Sequence, residues 1–308
     1  MLPKIGGAIV THNRAAALRL TLGAALTQTH PLSRLVLIDN ASTDATGDLA
    51  RQHAPNGGAT LDYCRLTDNL GCSAGFAVAL EQLLRSDCEW FWLLDDDATP
   101  APDALEHLTA QIKSPLYVYC SAAIGPGGDD PVLCWPVAFR RGHIWSRPAH
   151  FLRELPDVGE VEFSSFLGML IHRSLVEAIG FPDKGFFISG DDAEYSYRMR
   201  KHGAKILLIK SSCVCHPLPR RRSVKVFGVE IQVLEHPAWK RYYEIRNRLI
   251  IARRYHGVQL WTRALPGTLL RWLITLAFQP DRLAQSRAFA RGIVDGLAER
   301  LGIRWPPP

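Results

Sequence analysis

The run EWFWLLDDDATP, residues 89–100, sets five apolar residues, Trp90 to Leu94, directly against three carboxylates, Asp95, Asp96 and Asp97. A short, unbroken apolar run marks a strand buried on both faces. Three adjacent acids at the end of such a strand are costly, because each raises the pKa of the others unless a cation offsets the repulsion. A hard divalent ion, Mg²⁺ or Mn²⁺, meets that need: it accepts one or two carboxylates and takes its remaining ligands from water and substrate phosphate. A solvated acidic turn leading into a helix N-terminus is the other reading of the same residues.

The segments on either side decide where those acids stand. Upstream, an apolar strand from Ile5 to Val10 ends in THNR, and a helical pattern covers 15–28. A second strand, 34–42, ends in DNAS, and a helix follows over 44–54. A third strand lies at 60–66, then a Gly-rich turn opens a helix at 71–86. Downstream, 99–112 reads as a helix with proline near its start. The alternation of strand and helix predicts an α/β fold with a mostly parallel sheet and helices on both faces. Ligands in such sheets bind at the carboxyl ends of the strands. Thr11 to Arg14, Asp39 and Asn40, Asn69, and Asp95 to Asp97 all fall at those ends.

From about 115 to 165 the pattern is irregular, with short β-like runs that fit a continuation of the sheet and a flap. A strand and a helix follow at 164–180, a helix begins near Asp192, and a strand covers 204–217. Beyond it, PRRRSVK reads as a solvated basic loop, and three helices are expected at 238–257, 262–278 and 281–301. The chain therefore divides, on this reading, into a nucleotide-binding domain, 1–217, and a mainly helical extension, 218–308. Charge divides at nearly the same place: residues 1–215 hold 19 Lys and Arg against 24 Asp and Glu, and residues 216–308 hold 17 against 6.

Hydrophobic residues make up 47% of the chain and charged residues 21%, which excludes a disordered polymer. The seven cysteines are odd in number and lack CxxC spacing, as expected of free thiols in a reducing cytoplasm. CVCHP, 213–217, lacks the second pair a structural zinc site needs. The N-terminus does not read as a signal peptide, and no window of about 20 residues is free of charge, so no membrane span is expected.

A second acidic group, Asp191 and Asp192 followed by Glu194, opens a helix. His216 closes a late strand, and imidazole suits Mn²⁺. Asp39 and Asn40 are placed to bond a base or ribose. Gly71 and Gly75 open a helix, where backbone amides can approach phosphate, although a capping turn would use the same residues. GxxxxGK and GxGxxG are both absent, which argues against P-loop and dehydrogenase chemistry.

In order and spacing, AIVTHNR, LIDNASTDAT, NLGCSAGF, LLDDDATP and ISGDDAEYSYRMRKHG resemble family 2 glycosyltransferases with the GT-A fold, over about residues 3–217. The triple Asp, DDAEY, the later His-Pro and YYEIRNRL are similar to the branch of galactofuranosyl- and rhamnosyltransferases of bacterial surface glycans. The resemblance implies a mixed, Rossmann-like GT-A sheet. It implies that Thr11 and Arg14 frame a nucleobase, that Asp39 bonds the base and ribose, and that Asn69 and Gly71 lie near ribose and diphosphate. Asp95 and Asp97 would flank the metal, His216 would be its third ligand, and Asp96 would face the donor. Asp192 would be the catalytic base, with Asp191 and Glu194 placing the acceptor. The expected donor is a UDP- or dTDP-sugar, the cofactor Mn²⁺ or Mg²⁺, and the acceptor a glycan or glycolipid.

Trp135, Trp145 and Phe163 to Phe166 line either sugar subsites or core. Trp261, Leu265, Leu269, Trp272 and Leu276 fall near one helical stripe with basic flanks, which suits a membrane-surface helix or, equally, packing on the catalytic domain or in a homo-oligomer. Nucleic acid is not expected, since the basic residues sit on apolar helices without a reader motif. The expected location is the cytoplasm, at the inner face of the membrane. Two rival readings remain. A sugar-phosphate nucleotidyltransferase would want a Gly-rich basic loop where this chain has THNRAAA, and a non-catalytic sugar-nucleotide-binding protein would not need every acid in place.

Overall fold

The computed structural model describes residues 3–52, 59–141, 144–226, 229–279 and 281–307. In chain order the first elements are β1 (Ile5–Thr11), α1 (Ala15–Leu26), β2 (Arg34–Asp39), α2 (Thr46–Gln52), β3 (Thr60–Arg65), α3 (Gly71–Leu84) and β4 (Trp90–Asp95). Then come β5 (Thr99–Pro100), α4 (Ala104–Thr109), β6 (Tyr117–Ile124), β7 (Val132–Val137), β8 (Arg140–Arg141), β9 (Ile144–Trp145), β10 (Ala149–Phe151), β11 (Val158–Val161), β12 (Met169–His172) and α5 (Arg173–Ile179). The rest is α6 (Asp191–Lys201), β13 (Lys205–Cys215), β14 (Arg221–Val226), β15 (Val229–Leu234), α7 (Ala238–Tyr255), α8 (Leu265–Phe278) and α9 (Arg282–Leu297).

The residues group into two compact units, 1–182 with 195–218, and 183–194 with 219–308. The second unit thus also takes 183–194, a segment that a single cut at 217 leaves in the first.

The first unit is built on an 11-stranded mixed sheet in the order β10-β7-β6-β12-β4-β1-β2-β3, with β13 joining β6, β11 and β5. β1 pairs in parallel with β2 and β4, and β2 with β3, whereas β12 runs antiparallel between β4 and β6. β1 is buried along its whole length, because helices cover both faces. Side chains alternate accordingly. Val10, Phe91 and Leu93 pack with Phe76 and Leu80 of α3 on one face. Ile9, Trp92 and Leu94 pack with Leu18 and Leu22 of α1 and Leu105 of α4 on the other.

Two expected elements are shorter than their sequence patterns. The helix expected over 99–112 keeps only Ala104–Thr109, because Thr99 and Pro100 pair with Cys215 and Val214 instead. The helix expected over 44–54 is described as far as Gln52, and His53 and Ala54 lie outside the described residues. The basic stretch expected as a loop is also different: Arg221–Val226 pairs antiparallel with Val229–Leu234 as a hairpin.

In the second unit, α7 packs through Ile245 and Leu249 against Phe289 of α9 and Leu260 in the π-helical turn 260–264. Pro266 does not interrupt α8 but stands in its first turn, where its missing N–H costs nothing.

Candidate active site

The register of the sheet assembles one part of the site. Thr11 stands beside Asp39 across β1 and β2, and Val10 beside Asp95 across β1 and β4, so three strand ends finish at one level. β13 ends next to them, because Cys215 pairs with Thr99, and the His216 amide donates to the Ile124 carbonyl at 2.9 Å.

Around the triple Asp the charges are answered. The Thr11 hydroxyl donates to Asp96 Oδ2 at 2.8 Å. The Arg14 guanidinium donates to Asp97 and lies 3.7 Å from Asp96 Oδ1. His216 Nε2 is 3.3 Å from Asp97 Oδ1, and the Trp135 ring lies 5.4 Å from the imidazole. Burial alone would raise both acids. For Asp97 it is outweighed by His216 and Arg14, which bring the pKa down to about 2. For Asp96 burial dominates over Arg14, Asp97 adds its own charge, and the pKa rises to about 6. His216 rises despite burial, because Asp97 holds its proton.

No three His, Cys, Asp or Glu side chains among the described residues form a ready-made metal cage. The donor set still fits Mg²⁺ or Mn²⁺. Asp97 and His216 are in contact, Asp95 ends the same strand, and such ions keep several water or phosphate ligands.

Asp39 is not offered to a ligand in this structure. It is 0% exposed, with Oδ1 accepting from the Ser42 amide at 2.7 Å and Oδ2 from the Tyr63 hydroxyl at 2.6 Å. The THNR and DNAST loops are locked together instead. The His12 ring lies 2.7 Å from the Asn40 carbonyl, the Asn13 amide donates to Ser42 Oγ at 2.9 Å, and the Thr43 amide donates to Asn13 Oδ1 at 2.7 Å. Asn69 Oδ1 accepts from the Gly71 amide at 3.0 Å, so that amide is already used within the turn. Gly71 takes a φ of +85°, open to glycine. Gly75 serves packing: a Cβ there would lie 3.1 Å from Asn40 Nδ2 and closer still to Val10.

The second acidic group belongs to the other unit. The loop before α6 carries left-handed backbone at Phe187, Ser189 and Gly190, φ +67°, +67° and +83°. Two of these are not glycine, so the strain must be held from outside. Asn247 of α7 holds it: Nδ2 donates to the carbonyls of Phe186, Ile188 and Ser189 at 3.0, 2.9 and 2.7 Å. Arg246 donates to the carbonyls of Gly185 and Phe186 at 2.9 and 2.8 Å, and through Nε to Asn247 Oδ1 at 2.8 Å. The loop thus delivers Asp191 and Asp192 to the first turn of α6.

Asp191 is buried, with Oδ2 lacking a hydrogen-bond partner among the described residues. Burial raises its pKa, and the neighbouring Asp192 charge raises it further. Asp192 is raised by burial too, although the Ala193 amide, 2.7 Å from Oδ1, works against that. Glu194, expected to place an acceptor, is buried and engaged internally. It accepts from the Tyr255 hydroxyl at 2.8 Å, with Arg254 at 4.0 Å.

Of the aromatic residues open to two readings, Phe166 is core, its ring tilted against that of Phe76 with centroids 4.5 Å apart, while Trp135, Trp145 and Phe163 are exposed. Sequence reasoning missed Tyr63, Arg246 and Asn247 as supports. The signal for the last two was YYEIRNRL, whose polar residues interrupt an otherwise buried helix face.

A sheet of this order, with acids and a histidine at its strand ends, is that of the GT-A fold. The chain belongs to glycosyl transferase family 2, whose model matches residues 8–180, and it is a glycosyltransferase. It is 30% identical to galactofuranosyltransferase GlfT1 of Mycobacterium tuberculosis over 261 residues, 80% of this chain and 82% of that one. It is 25% identical to the dTDP-rhamnosyl transferase RfbF of Shigella flexneri over 145 residues, 47% of each. Among solved structures, the mannosyltransferase PcManGT from Pyrobaculum calidifontis, in complex with GDP-Man and Mn²⁺, superposes with a TM-score of 0.61 at 14% identity, over 97% of this chain and 88% of that one. GalNAc-T7 with UDP, GalNAc and Mn²⁺ gives 0.62 at 17% identity, covering 97% of this chain and 57% of that one. At such identities the structures speak for the fold alone.

Proposed function

We propose that this enzyme is an inverting, metal-dependent glycosyltransferase. It moves galactofuranose or rhamnose from a UDP- or dTDP-sugar to a hydroxyl of a growing, lipid-linked cell-surface glycan, on the cytoplasmic face of the membrane. The observation that carries this reading is the contrast between its two acid groups: Asp97, depressed by cations, and Asp192, raised by burial. The similarity to GlfT1 and RfbF supports the sugar and the nucleotide.

On this reading Asp95, Asp97 and His216 hold Mn²⁺ or Mg²⁺, which when bound supplies positive charge against the diphosphate. Arg14 adds a fixed positive charge, and Thr11 orients Asp96 toward the donor. Asn69 and Gly71 shape the turn beside ribose and diphosphate. Asp39 acts by holding Tyr63 and the Ser42 turn around the base. The acceptor hydroxyl attacks the anomeric carbon as the bond to the diphosphate breaks, and Asp192 takes the hydroxyl proton. Asp191, kept protonated by burial and by the charge beside it, is left to hydrogen-bond the acceptor. One displacement inverts the anomeric configuration.

A panel of UDP- and dTDP-sugars with a glycolipid acceptor, assayed with and without EDTA and with NMR of the product anomer, tests this. The expected result is metal-dependent release of nucleoside diphosphate with inversion. Full activity in EDTA refutes the metal's role, retention refutes the single displacement, and pyrophosphate as product assigns nucleotidyl transfer.

A further inference from the structure

α8 is built inside out. The residues it buries are polar, Thr268 at 0% and Thr275 at 1% exposure, with the Thr268 hydroxyl returned to the Ala264 carbonyl at 2.7 Å. Its exposed large side chains are apolar: Leu269, Leu270 at 59%, Leu273 at 64%, Leu276 and Phe278. Positions 269, 270, 273 and 276 share one face at helical spacing. Trp261, 58% exposed in the preceding turn, and Val258 add exposed apolar residues just before the helix. Not every member of the expected stripe lies there. Trp272 turns inward to stack on Phe289 at 5.9 Å, and Leu265 packs beside it. Water does not favour a helix that hides threonine and displays leucine, and an apolar patch of this kind marks an interaction site.

The charges at the ends of the helix say what covers it. Residues 258–279 contain two arginines and no acid. Arg263 is exposed in the turn before α8, and the Arg248 guanidinium reaches the first turn beside Gly267. At the other end, Arg282 donates to the Ala277 carbonyl at 3.3 Å, while Arg222 of the hairpin donates to the Phe278 carbonyl at 3.3 Å and has its charge answered by Glu235, 2.7 Å from Nε. A leucine stripe framed at both ends by guanidiniums complements acyl chains flanked by phosphates. A second copy of the chain would answer it poorly. Two-fold pairing would bring arginines of like charge together without an acid on the stripe to meet them. No helix among the described residues is long and apolar enough to cross a membrane, so the helix would lie along the surface rather than span it.

We propose that α8 and the turn before it dock this enzyme in the plane of a bilayer rich in anionic phospholipid. Leu269, Leu270, Leu273, Leu276 and Trp261 insert among acyl chains, and Arg248, Arg263 and Arg282 rest at the phosphates. This holds whichever sugar is transferred.

Co-sedimentation of the full chain with phosphatidylcholine vesicles, with and without phosphatidylglycerol, tests the proposal. Binding is expected to the phosphatidylglycerol vesicles and to weaken with salt. Leu270→Ser with Leu273→Ser lowers partitioning at least about tenfold, and Arg263→Gln and Arg282→Gln each lower it about fivefold. Both leucines are exposed, so the double variant keeps the wild-type melting temperature without vesicles, and Leu270→Asn alone gives a smaller loss of the same sign. Failure to bind phosphatidylglycerol vesicles, or binding that ignores the leucine substitutions, overturns the proposal. So does a wild-type dimer in sedimentation velocity that the double variant makes monomeric, which assigns the face to a second copy.

Discussion

Asp97, just past the end of β4, has a guanidinium and an imidazole on its carboxylate, whereas Asp191 at the start of α6 has a neighbouring acid and an oxygen without a hydrogen-bond partner among the described residues. In sequence the two runs, DDD and DD, look alike. In the fold their surroundings push them in opposite directions, one toward permanent negative charge, the other toward holding a proton. Carboxylates driven apart in this way take different chemical tasks, one pairing with cations and the other trading protons.

The largest effect expected from breaking that contrast is at Asp192. Asp192→Asn should reduce transfer by about 10³-fold or more, with nucleotide affinity unchanged in calorimetry. Because burial raises the pKa of Asp192, its reactive ionised form accumulates only above the ordinary carboxylate range, so kcat/KM in wild type should climb with pH from the mildly acidic region upward. A flat profile over that range, or an active Asn variant, assigns the proton to another group.

The next largest concerns the loop that carries the pair. Asn247→Ala takes the side-chain donor from the part-buried Ile188 and Ser189 carbonyls, while the Phe186 carbonyl keeps Arg246, and should cost about 1–3 kcal/mol in denaturant unfolding. Asn247→Ser, which keeps a donor but loses reach, should fall between. Equal stability of all three proteins would mean that Asn247 does not hold the strained loop.

The smallest concerns Asp96, which burial raises to about 6 while Asp97 beside it is held low. A group whose folded pKa exceeds its unfolded value destabilises the fold once ionised, so this cost is present above about pH 6 and vanishes as pH falls toward 4. Asp96→Asn in metal-free protein should therefore gain up to about 3 kcal/mol at pH 8, and the gain should disappear near pH 4. A gain that does not vary with pH assigns it to packing.

Much of this was legible before any coordinates. Apolar runs that stop in polar residues gave β1 to β4 and put Thr11, Asp95 and Asp97 at one edge, because a parallel sheet buried on both faces leaves only the strand ends for polar groups. Three things were not legible. β12 is four residues long, too short for periodicity to show that it enters antiparallel between β4 and β6. Arg221 to Val226 carries so much charge that it reads as a loop, although it pairs as a strand. Asp39 reads as an acid at a strand end, and nothing local in sequence shows that Tyr63, 24 residues away, donates to it. Each depends on a partner distant in sequence, and local pattern carries no information about such partners.

Residues 183–194 group with 219–308, and the family model stops at 180, short of them. The proposed base therefore travels with the carboxyl-terminal third of the chain. A protein cut after 218 would keep Asp192 in its sequence yet lose Arg246 and Asn247, which fix the backbone beneath it. On the proposed function, exchanging residues 219–308 for those of a relative would replace the side chains that hold the loop before Asp192, and so the proposed base would be disturbed without any change to its own sequence.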